Sequence, residues 1–216
     1  HFRRHIRAEV GGEALYINGP LGGMLTPNVA KEADLEERRT YITALGKHLA
    51  EQTIRALDQS HLEQEPTLSH NWMPLTLPNQ NWKLRTLRRL GILNTKTEDS
   101  RVATEVHHVA LGSVEVLTAP GELTPEVGQE VMAMMTGRDP GVFGLTIDEV
   151  GYILRHDQFH HPEYRYERSV SLGPRTAERL LAAQLRLPAR GGALLLAKWR
   201  GRRAEARLAT QEGLHC

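Results

Sequence analysis

Cysteine is nearly absent: the 216-residue chain has one, Cys216, at its last position. That excludes a disulfide framework within the chain and any Cys-rich zinc centre, and it leaves the redox compartment open. Long apolar runs are missing too. The longest, Ala193 to Ala197, is cut by Lys198 and Arg200, well short of the about 20 residues a membrane-spanning helix needs. Neither sign of charge is in excess. With 27 Lys plus Arg against 26 Asp plus Glu, nothing draws the chain generally to nucleic acid, and none is expected as a partner. The opening, His1-Phe2-Arg3-Arg4-His5-Ile6-Arg7, has neither a signal-peptide pattern nor an initiator Met. It reads as the inside of a basic amphipathic helix, so the chain is expected to be a piece of something longer. No internal repeat is evident. The Gly-rich loop at 19–23 lacks both Gly-Lys-Ser/Thr and a full Gly-x-Gly-x-x-Gly, so it is not a phosphate cradle of the usual kind.

What is present is an alternation of helical and extended segments. Residues 2–10 read as a helix closed by Gly11-Gly12. Residues 13–18 (EALYIN) read as a short buried strand. Residues 35–57 have a helical period, with Ile42, Leu45, Leu49 and Ile54 near one face. Residues 60–82 are rich in Pro, Asn and His and read as loop with short extended pieces, with Trp72 and Trp82 covering the core. The stretch 83–93 fits strand or helix. Residues 105–110 and 114–117 form a hairpin around Gly112, 124–135 a helix with Thr124 as cap, and 142–146 a strand. Residues 153–170 read as a polar loop, and 176–187 as an amphipathic helix. This mix predicts an α/β or mixed α+β layered fold, a sheet with flanking helices, as an incomplete half of a larger domain. Residues 1–187 form its body. Residues 188–216 form a basic tail, where Lys198 to Arg207 carries five basic residues and one acidic one. That tail reads as a solvated end; with Trp199 it also suits peripheral contact with a membrane surface.

Two places carry chemistry. In Ala119-Pro120-Gly121-Glu122 a Pro-Gly turn sets a carboxylate at the end of a buried strand. In Asp148-Glu149-Val150-Gly151-Tyr152 a phenol follows a glycine and two acids. Glu122 suits a metal ligand, or a charge at the N-terminus of the following helix. From the residues alone Tyr152 reads as a half-buried strand end, and Tyr166 as a loop aromatic or an oxyanion donor. Thr26, before Pro27, suits a nucleophile with a base nearby, or turn chemistry. His107 and His108 are adjacent on a strand and point to opposite faces, so they cannot both hold one metal. His156, His160 and His161, with Asp157 and Glu163, suit a loop metal site or, since their spacing fits no established ligand pattern, a solvated loop.

Four blocks in one order now matter. They are Tyr16-Ile17-Asn18-Gly19 with Thr26-Pro27-Asn28; Leu45-Gly46-Lys47-His48; Glu105-Val106 through Leu111-Gly112 to Pro120-Gly121-Glu122; and Asp148 through Gly151-Tyr152-Ile153 with Tyr166-Glu167 and Leu172-Gly173-Pro174. This arrangement resembles the neutral/alkaline non-lysosomal ceramidase family, in the carboxyl-side half of its catalytic domain, over residues 2–187. The resemblance implies a zinc-dependent amidase that cleaves the N-acyl bond of ceramide or a related lipid amide. It implies Glu122 and Tyr152 as zinc ligands, the histidine ligands outside this chain, and Tyr166 beside the reacting group. It also implies a secreted or extracytoplasmic protein. Thr26 stands where the family's serine nucleophile would be, and the aspartate usual in that loop is absent. A non-catalytic relic that keeps the fold as a lipid-binding or interaction module is the alternative.

Overall fold

The computed structural model describes residues 1–23, 29–30, 32–60, 63–93, 100–137 and 139–187. Thr26 and the 188–216 tail lie outside them. Two compact units make up the chain: His1–Ile17 with Leu25–Gln64, and Asn18–Met24 with Glu65–Cys216.

The first unit holds α1 (Phe2–Glu9) and α2 (Leu35–Asp58). Asp34 starts α2 with a capping box: its side chain accepts the Glu37 N–H at 2.8 Å, and the Glu37 side chain accepts the Asp34 N–H at 2.9 Å. Such a reciprocal pair satisfies two backbone donors that a helix start otherwise leaves open. The two helices meet where side chains are smallest. Gly46 and Ala50 are the buried residues of α2, and a Cβ on Gly46 would stand 2.6 Å from that of His1. The seam therefore runs along these small residues. Ile42 and Leu49, expected on the buried face, are 49% and 45% exposed. Residues 13–18 form no strand, because no partner strand pairs with them, and Leu15 and Tyr16 are exposed. The Tyr16 ring instead meets Phe2 edge-on at 5.9 Å.

The second unit is built on a mixed sheet. Its strands are β1 (Leu68–Pro78), β2 (Arg101–Leu111) and β3 (Val114–Thr118), with helix α3 (Trp82–Arg89) between β1 and β2. After β4 (Glu122–Leu123) and α4 (Pro125–Met132) the chain returns as β5 (Asp139–Phe143). The four-stranded order is β1-β2-β3-β5. β1 and β2 are antiparallel from Leu68↔Leu111 to Pro78↔Arg101. β2 and β3 form the hairpin expected around Gly112, and β3 and β5 are parallel. The sequence reads this stretch as loop with short extended pieces; the structure makes 11 residues of it the edge strand β1, where Pro74 and Pro78 are tolerated.

Helices α4 and α7 (Thr176–Gln184) pack on this sheet. Leu77, Val106, Leu123, Val127, Val131, Ile153 and Leu180 are fully buried in one core. Each such aliphatic side chain contributes about 1.5–3 kcal/mol relative to exposure. Trp72 and Trp82 do not join it; they are 56% and 69% exposed. Trp72 alternates onto the sheet face opposite Leu75 and Leu77, and Trp82 opens α3 after the Asn81 cap. The expected polar loop at 153–170 is α5 (His156–His160), a 3₁₀ turn (Pro162–Tyr164) and α6 (Arg165–Val170). Gln158 and Glu167 are buried there, so the polarity that suggested a loop belongs partly to side chains turned inward. The fold is a mixed α/β architecture, as the alternation of elements predicts. Among the described residues no helix is long and apolar enough to cross a membrane.

Candidate active site

β1, β3 and β5 run in one direction, so their carboxyl ends share one edge of the sheet. In sheets with parallel strands, that edge is where ligands are commonly bound. Two segments cross it. One leaves β3 through Ala119-Pro120-Gly121 into β4; the other leaves β5 through residues 144–151 into β6 (Tyr152–Ile153). Backbone hydrogen bonds join them. The N–H groups of Val150, Thr146, Leu145, Glu122 and Thr124 donate to the carbonyls of Pro120, Ala119, Gly121, Gly151 and Ile153, at 2.8–3.2 Å. The resulting parallel pair sets Glu122 opposite Tyr152.

Glycine makes this approach possible. Gly151 has φ +89°, and a Cβ on it would stand 2.0 Å from the Val170 carbonyl oxygen. A Cβ on Gly121 would stand 2.5 Å from the Gly151 oxygen. Leu145 and Ile147 also adopt positive φ, at 53° and 76°. For a β-branched residue that conformation costs about 1–3 kcal/mol and persists only when its surroundings enforce it. Here the cross-segment hydrogen bonds and the Thr146 hydroxyl, which donates to the Phe143 and Gly144 carbonyls, enforce it.

The Tyr152 side chain is buried, and it stands beside Glu122, its register partner. Burial, then the negative charge of Glu122 and the hydrogen bond to it, push the phenol up to about 12. Tyr166 and Glu167 add to the effect. The Tyr166 ring meets Tyr152 edge-on at 6.0 Å from the first turn of α6, and it is half exposed. All three side chains line a cavity of about 850 Å3. Leu84, Val102 and Leu172 give it apolar wall, and Arg88, Glu105, Asp148 and Glu149 give it charge. Asp148 accepts the Thr104 hydroxyl at 2.7 Å, and Glu149 accepts the Gly151 N–H at 2.8 Å. Burial raises the Glu149 carboxyl; the Gly151 hydrogen bond opposes this and the nearby charge of Glu122 reinforces it.

Glu122, Tyr152 and Tyr166, singled out in the sequence, thus come to one cavity. Thr26 lies outside the described residues. Thr124 sits at the N-cap of α4 but makes no side-chain cap; its hydroxyl donates to Gln158 at 2.8 Å instead. Glu122 lies in β4, two residues before the Thr124 N-cap of α4, with Tyr152 of β6 as its register partner. Glu167 is buried, and among the described residues its Oε2 has no hydrogen-bond partner. His107 and His108 do face apart. His108 is buried against Glu115 at 2.8 Å, whereas His107 meets His70 at 2.9 Å and Glu105 at 3.1 Å. Among the described residues, no group of three or more His, Cys, Asp and Glu is placed to hold a metal ion. Sequence reasoning missed Glu105 and His70. Strand alternation alone puts Glu105 and His107 on one face, but His70 becomes their neighbour only through the β1–β2 register.

No known family's sequence profile and no curated protein matches the chain. Solved structures do. The chain is similar to a neutral ceramidase from Pseudomonas aeruginosa, with a TM-score of 0.55 at 14% identity, covering 88% of this chain and 40% of that one. A ceramidase complexed with C2 aligns at a TM-score of 0.45 and 14% identity, covering 69% of this chain and 33% of that one. The first likeness establishes a ceramidase-like fold. The chain spans two fifths of the length of that neutral ceramidase.

Proposed function

We propose that the cavity is part of a zinc-dependent amide-hydrolase site of the neutral-ceramidase type, acting on ceramide or a related N-acyl lipid. The observation that carries this reading is the pairing of Glu122 with the buried Tyr152 at the carboxyl edge of the sheet. Two oxygen donors stand side by side there, and burial with the Glu122 charge resists loss of the Tyr152 proton. A cation in the proton's place satisfies both, which is the donor chemistry zinc accepts. Glu122 and Tyr152 would hold it, with histidines from outside this chain completing the set. Zinc bound there supplies Lewis acidity and a water whose pKa falls to about 7.

The remaining roles belong to the chain. Tyr166, on the cavity wall, donates a hydrogen bond to the carbonyl oxygen as it gains charge. Leu84, Val102 and Leu172 receive acyl chain and keep water from it. The test is Glu122→Ala in the intact protein, followed by zinc analysis and hydrolysis of a fluorescent ceramide. Both readouts are expected to fall; full zinc occupancy in the variant ends the assignment. A second reading, a lipid-binding module without catalysis, draws on the lack of a complete ligand group among the described residues. It predicts that the wild-type protein supplied with zinc binds the same ceramide without turning it over.

A further inference from the structure

On the sheet face opposite the core, three titratable side chains form a line. His70 Nε2 lies 2.9 Å from His107 Nδ1, and His107 Nε2 lies 3.1 Å from Glu105 Oε1. The two rings are within 11° of one plane, with centroids 5.2 Å apart. That separation is about the N···N distance plus two ring radii, so the rings meet head-on in one plane. Their lone pair and N–H point along one line, which suits a hydrogen bond and leaves no room for a metal between the nitrogens. Trp72 lies against His107, with centroids 6.3 Å apart and planes at 23°. His70 is exposed, His107 half-buried, and Glu105 lines the cavity that Glu122 and Tyr152 share.

Elementary chemistry orders the protons. An ionised carboxylate only accepts, so His107 donates from Nε2, and its Nδ1 must then accept from His70 Nε2–H. His70 Nδ1 is left as the acceptor at the outer end. We propose that His70, His107 and Glu105 form a proton relay between solvent and the cavity. A proton added at His70 Nδ1 lets the His70 Nε2 proton pass to His107 Nδ1. The His107 Nε2 proton then passes to Glu105 Oε1. Each ring ends with the hydrogen count it began with, and one proton has reached Glu105, a residue of the cavity wall, whose other ionisable groups are Arg88, Glu122, Asp148, Glu149, Tyr152 and Tyr166. The catalytic consequence rests on the hydrolase reading: the amine leaving a cleaved amide needs a proton, and Glu105 supplies it and is refilled from outside.

Two measurements on the full chain test this. Long-range 1H–15N correlation spectra of histidine-labelled protein are expected to show both His70 and His107 as Nε2–H tautomers, with the shared proton's signal lost in His70→Gln. An Nδ1–H tautomer at His107, or spectra of His107 indifferent to His70→Gln, overturns the relay. With ceramide turnover as readout, His70→Gln is expected to lower kcat about tenfold at high pH, with KM unchanged, and added imidazole buffer restores it. A uniform loss at all pH values that imidazole does not rescue also overturns it. Wild-type protein that shows the expected tautomers but no turnover supports the hydrogen-bonded relay while counting against the hydrolase reading.

Discussion

His107 and His108 are neighbours in the chain, each has a glutamate within 3.1 Å, and their surroundings differ in almost every other respect. His108 faces the core, 3% exposed, and Glu115 beside it also accepts the backbone N–H groups of Thr136 and Gly137. That carboxylate is a pin: it fastens β3 to the turn that leads into β5. His107 faces the other way, toward water and the cavity rim, and its second nitrogen meets another histidine. The same pair of residue types is structural on one face of a strand and available for proton traffic on the other. Strand alternation alone makes the division.

The sharpest way to break that contrast is to remove the pin. Glu115→Ala strips the acceptor from the buried His108 ring and from the Thr136 and Gly137 N–H groups. Stranded buried polar groups are costly, so equilibrium unfolding in urea is expected to lose about 3–5 kcal/mol. Glu115→Gln keeps an acceptor in place and should recover much of this. A loss below about 1 kcal/mol for Glu115→Ala shows that the pair is not a pin.

The edge that carries the candidate site offers a second test, through Tyr152. Its phenol lies at about 12 in the folded protein against an ordinary 10.0. Below pH 10 both folded and unfolded chains keep the proton. As pH rises further the unfolded chain releases it first, so the folded state loses stability progressively through about pH 12. Tyr152→Phe deletes the titrating group. Melting curves of the variant are expected to fall less steeply than wild type between pH 10 and 12, with the two parallel below pH 9. Identical slopes across the alkaline range would show that burial and the Glu122 charge do not hold the proton on the phenol.

These residues also show how far the sequence could be read. Glu122 and Tyr152 stood out because Pro120-Gly121 and Gly151 are punctuation: each marks a backbone turn, and turns at strand ends are where a charged side chain can be set at a rim. The hairpin at Gly112 and the helices of α2, α4 and α7 were legible for the same local reasons. β1 was not. Its prolines, asparagine and histidine argue for loop, and only its place at the sheet edge makes a strand of them. Trp72 and Trp82 misled because size and apolarity say nothing of which face a strand or helix start presents. The His70–His107 contact depends on register between segments 37 positions apart, and the cavity wall gathers residues from Asn79 to Leu172; no local pattern contains either.

The smallest expected effect closes the comparison on its outer face. Glu105 is 36% exposed and its contact with His107 is open to water, so the pair gains little from a low dielectric and ordering two side chains offsets much of that gain. Glu105→Gln should therefore change unfolding free energy by less than about 1 kcal/mol, against the several expected for Glu115→Ala on the inner face. The glutamine can still accept from His107 Nε2–H, so the line of side chains keeps its shape while losing the group able to take up the proton. Stability held and proton delivery lost is the signature of a functional carboxylate. Should Glu105→Gln destabilise the fold as much as Glu115→Ala does, the two faces of β2 are alike, and the division of labour between these adjacent histidines fails.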